Sequence, residues 1–192
     1  MSMTKDSIIT LPNKLLRERS KKIGIITPEI RELAANMISA TLDWEDSREH
    51  ELGVALAAVQ VASGLRLIVV RNDFDNKDDH SFQVFINPEI TKFEGKIIDD
   101  LEGCLSVPDI YGKVPRYEKI RLKATSLEGK LVRLNLEGFI ARILQHEIDH
   151  TNGLVFIDHI KDNEKAFFRL NADGELESLD YDKDIRENSI LW

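Results

Sequence analysis

The stretch Gln145-His146-Glu147-Ile148-Asp149-His150 contains the pattern His-Glu-x-x-His. On a helix, residues i and i+4 share one face about one turn apart. Two imidazoles so placed can bind one metal ion, and Glu147 between them can reach a water on that metal. The bland alternative is a solvated helix face with two ordinary histidines. A third ligand elsewhere in the chain decides between the two.

The 192-residue length suits one domain with a sizeable core. A hydrophobic fraction of 42% and a charged fraction of 31% fit a soluble globular protein. The net charge of -8 argues against a nucleic-acid-binding surface. No apolar run is long enough to span a membrane as a helix, and residues 1–6 lack a secretory or transit pattern. A lone cysteine, Cys104, rules out an internal disulfide. Together these features point to the cytoplasm. Composition leaves open whether Cys104 is a small buried hydrophobe or a reactive group.

Thr27 suits an N-cap, Pro28 the first helical position and Glu29 the positive helix end. Apolar residues at Ile30, Leu33, Ala34, Met37, Ile38 and Leu42 form a helical stripe, which the polar stretch 43–51 ends. The small residues of 53–60 allow close approach, either to a ligand or to a neighbouring strand. Residues 67–70 read as a buried strand, and 72–81 as a charged loop anchored only by Phe74. A strand over 82–86 stops near Asn87-Pro88, and one over 90–98 turns at Glu94-Gly95. Residues 117–127 and 131–136 read as a hairpin. The helix carrying His146 starts near Glu137-Gly138, has its apolar positions at Phe139, Ile140, Ile143, Leu144 and Ile148, and ends at Gly153. A last hairpin pairs 167–170 with 176–179 across Ala172-Asp173-Gly174.

Metal sites built on His-Glu-x-x-His differ in their third ligand. One plan adds a His six residues after the second, but Phe156 stands there. Another takes a Glu from a later helix; Glu164, Glu175 and Glu177 exist, but the tail reads as a hairpin. His50, His80 and His159 sit in polar contexts and read as ordinary surface residues. Cys104 remains, in Glu102-Gly103-Cys104-Leu105-Ser106-Val107-Pro108. One thiolate and two imidazoles bind a divalent ion and leave a position for water, the layout of a catalytic site.

At these residues the sequence closely resembles the peptide deformylases. That family's motifs Gly-x-Gly-Leu-Ala-Ala-x-Gln, Glu-Gly-Cys-Leu-Ser and Gln-His-Glu-x-Asp-His appear in order at residues 53–60, 102–106 and 145–150. Ile86-Asn87-Pro88 and the stretch 138–153 are similar too, so the likeness covers residues 8–160. Residues 1–192 are expected to form one catalytic domain, with 161–192 as a variable C-terminal extension.

The resemblance implies removal of the formyl group from the N-terminal formyl-methionine of new polypeptides. It implies a divalent metal, commonly Fe2+, held by Cys104, His146 and His150; Zn2+, Ni2+ and Co2+ also suit these ligands. Hydroxide would attack the formyl carbon, and Glu147 would move a proton from the water to the departing amine. The Gln60 amide and the Leu105 N–H would stabilise the oxyanion. Formyl-methionyl nascent chains are the implied partner, and the ribosome a further one. Ile143 and Phe139 lie one and two turns before His146 and, with Val54, offer a slot for a methionine side chain. Each is also an ordinary core candidate. The peptide would pair along Ala55 and Gly103, near Tyr111. Arg116 and Arg142 are read first as structural ion-pair residues. Ala55 departs from the second glycine of the first motif; at positive φ it would cost about 1 kcal/mol. Thr151 replaces a Leu that commonly follows the second His, a small packing change.

The expected fold is α+β: antiparallel β-sheets around a central helix bearing His146 and His150, with an amphipathic helix over 30–42 packed outside. Two rivals stay open. A zinc endopeptidase of another plan needs a third His or Glu ligand. A deformylase-like protein with an altered acyl substrate, or without catalysis, is favoured only by Ala55.

Overall fold

The computed structural model describes residues 2–171 and 173–187. Among them, β1 (Ala55–Ala57), β2 (Leu67–Arg71), β3 (Phe82–Cys104), β4 (Val107–Thr125), β5 (Leu131–Glu137), β6 (Phe167–Leu170) and β7 (Leu176–Ser178) form one antiparallel sheet. Two α-helices, α1 (Pro28–Asp46) and α2 (Phe139–Thr151), complete an α+β architecture. Strands expected in separate sheets join in one because β4 is shared. It bonds β3 along most of its length, β6 near its start and β5 near its end.

Alternation along β1 and β2 divides the core. Leu56, Leu67 and Val69 join Ile30, Ala34 and Met37 of α1. Ala55, Ala57, Ile68 and Val70 join Ala141, Leu144 and Ile148 of α2. A strand covered on both faces must be apolar throughout, which explains why 67–70 carries no polar side chain. Leu144 is fully buried. Leu144→Ala would cost about 2–5 kcal/mol through lost transfer energy and the cavity left behind. A third cluster joins Cys104, Val107 and Val114 to Phe156, Phe167 and Ile185.

Several boundaries differ from expectation. Thr27 takes the N-cap position of α1, but its side chain makes no capping bond. α1 runs on to Asp46 because Glu45 turns inward onto Arg71, with Nη2 2.5 Å from Oε2 and both residues buried. β3 passes through Asn87-Pro88 and Glu94-Gly95 without stopping or turning. Asn87 (φ 52) and Gly95 (φ 80) accompany register shifts against β4. A bulge absorbs extra residues there, and a proline is tolerated where no ladder N–H is required. The tail hairpin forms, with β7 ending at Ser178; Ala172 of its expected turn lies outside the described residues. No helix among the described residues is long and apolar enough to cross a membrane.

Candidate metal centre

β3 ends at Cys104, and the turn Leu105-Ser106 leads into β4. His146 and His150 project from one face of α2. Cys104 Sγ lies 3.3 Å from His150 Nε2, and the two Nε2 atoms are 3.2 Å apart. All three residues are buried. Donors about 2.0–2.3 Å from a tetrahedral ion stand about 3.3–3.7 Å from one another, so this cluster fits one such ion. Among the described residues, no other group of three His, Cys, Asp or Glu side chains is close enough to share an ion. Among the described residues, no third His or Glu shares this donor cluster, as the endopeptidase plans would need.

Glu102, two positions before Cys104, organises the surroundings. Its carboxylate accepts from Arg116 Nε at 2.9 Å, Arg116 Nη2 at 3.0 Å and Arg142 Nη1 at 2.8 Å. It also meets His146 Nδ1 at 2.9 Å, which leaves Nε2 of that ring for the cluster. Nδ1 of His150 has no hydrogen-bond partner among the described residues. Burial opposes charge on Glu102, but His146 and Arg116 outweigh it and hold the carboxyl well below its ordinary range. Burial also opposes a charged His146, yet Cys104 and Glu102 hold its proton well above the usual value. Burial, then the His146 charge, pushes His150 well down. Arg116 continues to Asp149 at 2.5 Å, and His159 Nε2 meets Asp149 at 2.7 Å. Arg116 and Arg142 thus form ion pairs, the role read first for them. His159 is exposed, as expected, and its ring also meets Asp149.

Glu147 is buried, and its Oε2 has no hydrogen-bond partner among the described residues. Burial pushes its carboxyl up to about 7. Gln60 sits on the turn after β1. Its Oε1 accepts from the Ala57 N–H at 2.8 Å, which turns the amide NH2 toward Ser106 Oγ at 3.1 Å and Cys104 Sγ at 3.7 Å.

A cleft of about 480 Å³ opens over these groups. Val54, Ala55, Gly103, Leu105, Phe139 and Ile143 line it together with Gln60, Cys104, His146 and Glu147. His150 is fully buried. Phe139 is 53% exposed and packs edge-on against Phe74, ring centres 5.4 Å apart. Phe74 thereby becomes part of the cleft wall, although in sequence it is only the apolar residue of a charged loop. Ala55 lies in extended β1; positive φ occurs at Ala62, Asn87 and Asp109 but not there, so its methyl carries no left-handed strain. Gly103 is needed for close approach: a Cβ would stand 2.7 Å from the Tyr111 ring. His50 and His80 are both exposed, as expected, and His50 also lines the rim of the cleft. Leu170 and Leu176 of the tail line it too, and no sequence motif marks them.

Residues 5–166 match the family model described as Polypeptide deformylase. A protein named "Peptide deformylase" from Rhodopseudomonas palustris (strain TIE-1) is 40% identical over 162 residues, 83% of this chain and 87% of that one. Another of that name, from Thermomicrobium roseum (strain ATCC 27502 / DSM 5159 / P-2), is 37% identical over 177 residues, 91% of this chain and 95% of that one. The solved structure of a peptide deformylase from Legionella pneumophila is similar with a TM-score of 0.72 and 36% identity, covering 82% of this chain and 86% of that chain. The family-model match runs through the segments that bring Gln60, Cys104, His146 and His150 together, and with these relatives it shows that the chain belongs to the polypeptide deformylase family.

Proposed function

We propose that this chain is a metal-dependent hydrolase that removes the formyl group from the N-terminal formyl-methionine of newly made polypeptides. One observation carries the reading: a Cys–His–His donor cluster shares a cleft with a buried Glu147 carboxylate that has a free oxygen. Cys104, His146 and His150 would hold the ion, which we take to be Fe2+, with Zn2+, Ni2+ and Co2+ as chemically competent substitutes. Such an ion supplies a Lewis acid and an acidified water.

The chain's own residues do the rest. Gln60 Nε2 donates to the formyl oxygen as it gains charge, with the Leu105 N–H as a second donor. Glu147 takes a proton from the attacking water and passes it to the departing amine. Glu102 keeps the proton of His146 on Nδ1. Val54, Phe139 and Ile143, joined by Phe74, receive the methionine side chain and keep water from it. Ala55 and Gly103 flank the substrate backbone, where small side chains permit strand-like pairing. The substrate is the front end of a nascent chain, so we place the protein in the cytoplasm, within reach of the ribosome. We read residues 1–192 as one catalytic domain with α2 as its central helix. α2 packs against β1, β3, β4 and β5, and the tail adds Phe167 and Ile185 to the core around Cys104.

Formate release from formyl-Met-Ala-Ser, compared with acetate release from acetyl-Met-Ala-Ser, tests the proposal. Rapid release from the first alone is expected. No formate from protein holding one ion per chain would sink it.

A further inference from the structure

Tyr111 of β4 pairs with Phe168 of β6, and Leu170 pairs with Leu176 of β7. Partners across an antiparallel pair share a face, as do residues i and i+2 along a strand. Tyr111, Phe168, Leu170 and Leu176 therefore stand on one side of the sheet, while the paired Arg169 and Glu177 stand on the other. The side with Tyr111 faces the cleft, because its ring lies against Gly103, the neighbour of Cys104. Leu170 and Leu176 line that cleft, and Leu176 is 40% exposed. The hairpin tip is braced: a Cβ on Gly174 would stand 3.2 Å from the His50 ring. All of these tail residues lie beyond the family match, which ends at residue 166.

We infer that the C-terminal hairpin is an outer wall of the substrate cleft that selects apolar side chains of the nascent chain downstream of its formyl-methionine. This rests on the deformylase reading. With the methionine in the Val54–Phe139–Ile143 slot, the peptide leaves past Gly103 and Tyr111. Leu170 and Leu176 line the same cleft as Gly103 and Tyr111. Substrate residues beyond the second continue along this cleft and thus meet Leu170 and Leu176. A single apolar contact of this kind discriminates about tenfold.

The test compares kcat/KM for formate release from formyl-Met-Ala-Leu-Leu-amide and formyl-Met-Ala-Ser-Ser-amide. Metal-loaded wild type should prefer the first by about tenfold, and Leu170→Ser/Leu176→Ser by less than about twofold. Wild type without a preference, or a double variant that keeps it, would overturn the inference. Metal content and melting temperature establish that the variant is folded. Leu176→Glu changes a half-exposed position and so guards against a folding failure. It should turn the preference at low salt toward formyl-Met-Ala-Lys-Lys-amide, and an unaltered preference counts against the inference. No formate from any peptide with metal-loaded wild type rejects the deformylase reading itself, and the inference with it.

Discussion

At Glu102 one carboxylate meets two guanidinium groups and the imidazole of His146. Glu102→Gln would leave Arg116 and Arg142 short of a countercharge, at a cost of about 3–5 kcal/mol in urea unfolding. It would also weaken metal affinity about 10–100-fold in a chelator competition, because His146 loses its orienting partner. Unchanged affinity would contradict that role. The Glu102 pKa is depressed in the fold, so its contribution is present above the unfolded value, about 4.3, and fades as pH falls below it. Wild type should therefore lose more melting temperature than Glu102→Gln between pH 5 and pH 3. Equal losses would refute it. The paired histidines on α2 were legible in the sequence because their spacing is local. The role of Glu102 was not, since Arg116 comes from β4 and Arg142 from α2, and only folding brings them to it.

Among the elements, α1, β1 and the 72–81 loop meet at Arg71, the buried end of β2. Its guanidinium bonds Glu45 Oε2 at 2.5 Å, Gly53 O at 3.2 Å, Lys77 O at 3.1 Å and Asp79 O at 2.8 Å. One side chain thus pins the last turn of α1, the approach to Val54 and the loop that lays Phe74 on Phe139. Arg71→Met should cost about 3–5 kcal/mol by stranding the buried Glu45. If the Val54–Phe139–Ile143 slot receives methionine as proposed, KM should rise more than kcat falls, since the slot loosens while Cys104, His146 and His150 stay in place. Wild-type stability and KM in this variant would contradict the pinning role. The stripe of α1 and the apolar run of β2 could be read from periodicity. The true end of α1 could not, because Glu45 looks like a solvent-facing acid until Arg71 is beside it. Asn87-Pro88 and Glu94-Gly95 look like breaks, yet a long partner strand turns them into bulges.

For the whole molecule, the cleft gathers segments from 44–60, 101–111 and 139–147, and then closes with the tail. The three motifs announced the first of these in sequence; the tail's share depends on β6 pairing with β4, a long-range choice that local pattern does not encode. An ion binding only the folded chain stabilises it by about 2.7 kcal/mol at a hundred times its Kd, so chelation should lower the melting temperature and restoring metal should return it. If Fe2+ is the native metal, activity should decay on storage in air; equal activity before and after rules iron out. The most direct test of the central claim joins two readings on Glu147→Gln purified without oxygen: metal per chain, and formate released from formyl-Met-Ala-Ser. The structure predicts wild-type metal content with turnover lowered about 10²–10⁴-fold. Retained turnover, or loss of the metal along with it, would contradict Glu147 as the proton carrier of a Cys104–His146–His150 metal hydrolase.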